Sequence, residues 1–233
     1  MQNWRGPISL SKILNVWASV LETLLTLGSV FSSLWTYKKR KPIRFSLDVS
    51  FSSPTTVDKE PKKVGFFDWI GLKKVESQKK RRLLLTILGI SLLFLLFSIV
   101  VFSWFDSSKT ATAAFSGKGI GALPAILAYA ILGTALPEEI FFRGFLLKRL
   151  QGKLGFLGAN LLQSLLFGLI HAFMFIQLTG YLKAIVIMVF ISLIAYVFGA
   201  INEKKASGSI LPSVFIHALA NTVVGLLFAF SFI

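Results

Sequence analysis

The sequence predicts an all-α fold: a polytopic membrane bundle of about six transmembrane helices around a buried polar site. Three observations lead there. The chain of 233 residues is 55% hydrophobic, and its mean hydropathy of +0.74 exceeds what a soluble domain of this length carries. Its apolar residues gather into runs long enough to cross a hydrocarbon core of ~30 Å. Its basic residues collect between alternate runs, as the positive-inside rule requires. The net charge of +15 therefore belongs to the membrane surface, with membrane lipid as a partner and no nucleic acid. With no cysteine in the chain, disulfides, thiolate metal sites and a cysteine nucleophile are excluded.

Taken in order, residues 1–37 form an N-terminal membrane segment whose apolar part, 13–37, is interrupted by Glu22. It reads as a span, an interfacial helix or an uncleaved anchor. No cleavage-site pattern follows it. Residues 38–82 form a basic cytoplasmic linker loop, running from Lys38 and Lys39 to Arg81 and Arg82. The alternation at 45–49 suggests a short hairpin strand. Phe66, Phe67, Trp69 and Ile70 suggest an interfacial anchor. Residues 83–233 form the transmembrane helical domain, with spans at 83–105, 120–147, 155–178, 181–201 and 209–233. Lys148, Arg149 and Lys153 crowd one inner loop, and Lys204 and Lys205 the next. Six spans place both termini outside; five result if the first segment does not cross.

Three polar constellations interrupt three of these runs, and ionisable groups at membrane depth are expensive enough to imply a purpose. In the first, Pro137 is suited to begin or kink a helix. Glu138 and Glu139 would then lie in its first turn, where the helix dipole favours carboxylates. Glu139 and Arg143 stand four apart in the favourable order for an internal ion pair. Glu138, turned about 100° away, is left as a candidate general base. Taken alone, the same residues also fit structural glue, with both acids paired to Arg143.

The second constellation places Phe167 one turn before His171, where its ring can pack over the imidazole. The third places His217 and Asn221 at i and i+4 on one face, able to donate to an oxyanion or to ligate a metal. Each pair alone is also compatible with interhelical hydrogen bonding. Together they use both histidines of the chain.

Glu138-Glu139-x-x-x-Arg143, Phe167-x-x-x-His171 and His217-x-x-x-Asn221, in that order on successive apolar helices, resemble the three motifs of the CPBP family. These are the CAAX proteases and bacteriocin-processing enzymes, also called Abi. The resemblance covers about residues 123–227, within a family-like catalytic core at about 120–233, with the Phe-Phe-Arg-Gly-Phe-Leu run at 141–146 as supporting context. It implies an intramembrane endopeptidase that hydrolyses a peptide bond of a membrane-associated or lipidated peptide or protein. Position by position, Glu138 and His171 would activate the attacking water, and His217 and Asn221 would stabilise the oxyanion. Glu139, Arg143 and Phe167 would support the site. The substrate could be a prenylated tail, a leader peptide, a pheromone precursor or another membrane protein, in a bacterial plasma membrane.

A metal, if used, would be zinc on Glu138, His171, His217 and Asn221. That set lacks an HExxH pattern and would occupy the base and the oxyanion donors, so no obligatory cofactor is expected. The alternative reading is a non-catalytic immunity or regulatory membrane protein that binds a peptide or membrane partner. Depth gives a partial check. Glu138 lies ten residues before Lys148, or ~15 Å, and His217 nine after Gly208, or ~14 Å. His171 lies sixteen past Gly155, or ~24 Å, and does not match unless its helix begins nearer Asn160 or tilts.

Overall fold

A computed structural model of the protein describes residues 65–104 and 110–232. The expected first segment at 13–37, most of the basic linker and the strand at 45–49 lie outside the described residues. The compact unit Phe67–Ile233 contains the contacts that follow, including residues 67–82 of the expected linker.

Among the described residues the elements are helices. After the short α1 (Phe66–Ile70), α2 runs over Lys80–Phe102. Two 3-10 turns, Ala111–Phe115 and Gly119–Ala122, lead into a long helical run. That run comprises α3 (Leu123–Ala128), a π-helical stretch Tyr129–Ala135, α4 (Leu136–Glu139), a second π-helical stretch Ile140–Leu147, and α5 (Lys148–Thr179). Helices α6 (Tyr181–Lys205) and α7 (Leu211–Ala229) complete the chain.

Four of these stretches are long and apolar enough to cross a membrane, against about six expected, and the chain is an integral membrane protein. The lower count has a physical reason. One stretch, Gly119–Thr179, is 61 residues long, which as a straight helix would reach ~90 Å, about three times the hydrocarbon core. It is folded back at Gly155, whose φ of 66° and ψ of 174° leave the helical region. An L-residue tolerates that positive φ poorly, and glycine adopts it freely. The rings of Phe142 and Phe167, on either side of the break, meet edge to face at 4.8 Å between centroids. In a continuous helix they would stand ~37 Å apart. The single stretch thus contains the two spans expected at 120–147 and 155–178.

Helix α2 shows how the bundle is assembled. Leu83, Ile87, Ile90, Phe94, Phe97 and Val101 recur at alternating steps of four and three and join the main core. Leu84, Leu85, Leu88, Leu92 and Leu96 lie exposed between them, an apolar face that lipid covers. Helix α5 packs most extensively on α6, and α7 lies against α2 and the stretch Tyr129–Ala135. The α5–α6 contact is close because Gly168 has no side chain. A Cβ there would stand 2.5 Å from Met188 O and would collide with Ser192 Oγ. The same interface buries polar side chains: Asn160 Nδ2 donates to Tyr196 O at 2.9 Å, and Gln163 Nε2 to Asn160 Oδ1 at 2.9 Å.

The segment expected to anchor at the membrane interface behaves differently. Phe67 is exposed, but Trp69 and Ile70 are buried in the protein. The Arg149 guanidinium lies 3.8 Å from the Trp69 ring, a cation–π contact that draws α1 onto α5 rather than into lipid. Nearby, Ile210 N donates to Gly71 O at 2.9 Å. Lys148 Nζ donates to Glu203 Oε1 at 2.8 Å and to Gly208 O at 2.7 Å. The loop entering α7 is therefore tied to the level of Lys148, seven residues from the reversal at Gly155.

Candidate active site

Pro137 neither opens a new helix nor ends one. The backbone is already helical at Ala135 and Leu136, with φ and ψ of −59° and −51°, and −65° and −51°. The helix runs through and changes its winding on both sides of the proline, π-helical before α4 and again after it. Glu138 and Glu139 therefore lie within a helical rod, and a free helix end does not account for their stabilisation. Stretches of π-helix inside α-helices occur frequently at functional sites.

The two adjacent carboxylates have opposite surroundings. Glu139 is fully buried and accepts a hydrogen bond from Arg143 Nη1 at 3.0 Å, with Arg143 fully buried as well. The guanidinium lies 4.4 Å from the centroid of the Phe167 ring, 5.3 Å from Phe198 and 5.9 Å from Phe142. An arginine in an aromatic cage with one carboxylate partner is a matched pair. Glu138 is about one-third exposed, yet its Oε2 is buried and carries no hydrogen bond. Helical geometry accounts for the difference, because adjacent residues face directions about 100° apart.

His217, on α7, bridges the two acids. Its Nδ1 lies 3.2 Å from Glu139 Oε1, and its Nε2 lies 3.8 Å from Glu138 Oε2. A carboxylate paired with arginine can only accept, so Nδ1 donates, and the tautomer is set by this partner. The imidazole is buried among Phe94, Phe167 and Phe198, at ring centroid distances of 6.0, 6.4 and 6.5 Å. The start of α7 is held beside this site through Ser213, whose Oγ accepts from Asn202 Nδ2 at 2.7 Å.

His171, on α5, is fixed by its own helix. Its Nδ1 is 2.9 Å from Phe167 O, and its ring lies 4.4 Å from that of Phe167. Phe167 thus stands against both imidazoles and against Arg143. His171 lies within electrostatic reach of Glu138 and His217. The depth mismatch expected for His171 has its origin in the chosen reference. The helix carrying Glu138 continues past Lys148 to the reversal, so Glu138 and His171 stand seventeen and sixteen residues from Gly155. They are level.

Asn221 is the residue whose setting sequence spacing did not foresee. Its Nδ2 donates to Thr134 Oγ1 at 2.7 Å, and Thr134 Oγ1 donates in turn to Ala130 O at 2.9 Å. One N–H of the amide is thereby committed and the other is left to bind elsewhere. Thr134 could have been found by its position, one turn before Glu138 on the same face. Among the described residues, no three or more His, Asp or Glu side chains gather as a metal-ligand set.

Residues 120–223 match the model of the family described as Type II CAAX prenyl endopeptidase Rce1-like. This is the CPBP/CAAX protease family. No curated protein and no solved structure matches the chain. The Rce1-like match spans the first two motifs and ends just beyond Asn221, so all three constellations fall within it. It supports, in general terms, an intramembrane endopeptidase of the CAAX type acting on a membrane-associated peptide or protein.

Proposed function

We propose that the protein hydrolyses a peptide bond of a membrane-associated or lipidated substrate, with Glu138 as the general base and no obligatory metal. The observation that carries this reading is the contrast between the two carboxylates. Glu139 is neutralised by Arg143, whereas the inward oxygen of Glu138 has no hydrogen-bond partner. A buried carboxylate oxygen that accepts no hydrogen bond, beside two imidazoles, is suited to take a proton.

In the proposed reaction Glu138 removes a proton from water while the bare Nε2 of His171 accepts the hydrogen bond of the other. The resulting hydroxide adds to the substrate carbonyl carbon. The oxyanion accepts from the free N–H of Asn221 and from Nε2–H of His217, which takes up its second proton from solvent before the attack and keeps it throughout. Glu139 balances that charge, and Arg143 balances Glu139. Collapse breaks the C–N bond, and Glu138 returns its proton to the leaving amine. The water-filled access that intramembrane hydrolysis needs would open to the cytoplasmic half of a bacterial plasma membrane, the side of Lys148 and Lys205.

The test compares wild type, Glu138→Ala and Glu139→Gln as folded, purified full-length proteins on a quenched peptide library that includes prenylated members. Loss of cleavage in Glu138→Ala, a smaller loss in Glu139→Gln and indifference to a chelator are expected. Chelator inhibition reversed by zinc would transfer the chemistry to a metal. Host protection that survives Glu138→Ala would favour the non-catalytic immunity reading.

A further inference from the structure

A polar cavity lies away from Glu138 and Glu139, between the start of α2 and the end of α6. It measures about 540 Å³, and its lining includes Lys79, Arg82, Lys204 and Lys205 with Glu76 and Glu203. The size is that of a small-molecule site. Its charges are not internally matched. Glu203 is bonded to Lys148, which stands outside the lining. Lys205 Nζ rests on Thr86 Oγ1 at 2.9 Å, and Lys204 Nζ lies 4.3 Å from the Phe156 ring. Neither of those contacts neutralises a cation. Among the described residues, Lys79 and Arg82 have no carboxylate within ion-pair distance.

The placement is equally specific. Lys79, Arg82 and Leu83 share one face of the α2 start and line the cavity, whereas Lys80 and Arg81 do not. Leu83 is buried in the main core. The exposed Leu84, Leu85 and Leu88 lie on the opposite, lipid-facing side of α2, so the cavity opens between the two helices and not over the outer face of α2. Cations and hydroxyls between two helices, at the basic level where both spans end, match the phosphate of a lipid head group at the membrane surface.

We infer that this cavity binds a phosphate-bearing anion, the head group of an anionic phospholipid, independently of the hydrolytic site. The probes are a fluorescent phosphatidylglycerol and inorganic phosphate, titrated against the full-length protein in an uncharged detergent. Each cation near such a surface strengthens binding about fivefold, so Lys79→Gln/Arg82→Gln weakens it about thirtyfold. Lys204→Gln, on the α6 wall, is an independent variant and weakens it about fivefold. Arg81→Gln/Lys153→Gln removes the same charge outside the cavity and leaves binding within about threefold of wild type. Displacement of the lipid by millimolar phosphate would assign the site to a free anion. Failure of phosphate to compete would assign it to the lipid. Equal weakening in the two double variants, or no saturable binding of either probe, overturns the inference. Because the readout is binding, neither result depends on whether the protein cleaves peptides.

Discussion

Arg143→Met isolates the charge balance of the site. Arg143 is buried, bonded to Glu139 at 3.0 Å and caged by three phenylalanines. Methionine fills much of the same space and suits an aromatic cage, so the cavity contribution is small. What remains is a buried Glu139 carboxylate with His217 Nδ1 as its hydrogen-bond partner. Removing one member of a buried ion pair costs about 3–5 kcal/mol. Glu139→Gln in the same protein removes the stranded charge and keeps an oxygen for His217. The double variant should therefore recover to within about 1–2 kcal/mol of wild type, the scale of a neutral hydrogen bond. The assay is equilibrium unfolding in mixed micelles of wild type, both single variants and the double variant, read as a double-mutant cycle. The rival account gives arginine its value through stacking on the rings, about 0.5–2 kcal/mol for such a contact. If the double variant is as unstable as Arg143→Met, stacking wins and the charge argument fails.

Two further outcomes follow from contacts of the same bundle. Thr134→Val removes the hydroxyl that holds Asn221 Nδ2 without touching Glu138. Cleavage should fall about two- to tenfold, the size of one hydrogen bond, mainly in kcat; an unchanged kcat would detach Thr134 from the oxyanion site. Gly168→Ala places a methyl 2.5 Å from Met188 O. It should destabilise the protein by about 1–3 kcal/mol through forced separation of α5 and α6. An unfolding midpoint equal to wild type would show that the two helices can move apart without penalty.

Within the described residues, span positions and the ion pair were legible because they depend on local arithmetic. Apolar length marks the helices, and an i, i+4 offset brings Glu139 and Arg143 together whatever the rest of the chain does. The packing of Phe167 on His171 is local in the same sense. What was not legible depends on which helix faces which. The bridge from His217 to both glutamates joins residues 78 positions apart at its Glu139 end, and the Asn221–Thr134 bond joins residues 87 apart. No spacing rule reaches across helices. Trp69 carries the composition of an interfacial anchor, but its partner Arg149 is known only once α1 is packed on α5.

The reversal at Gly155 links the architecture to the site more directly than any single contact. A hairpin brings together residues equally far from its turn. Phe142 and Phe167 stand thirteen and twelve residues from Gly155 and meet at 4.8 Å. One turn further from the reversal on each arm lie Glu138 and His171. The first two motifs are thus made level by the position of one glycine. The third reaches the same level by a different route. The loop entering α7 is held at Lys148 through Gly208, and His217 then needs only nine residues of descent, about the ten that separate Lys148 from Glu138. Two independent distances along the chain, one counted from Gly155 and one from Lys148, converge on one layer of the membrane. Arg143, caged by Phe142, Phe167 and Phe198, is the cation around which that layer closes.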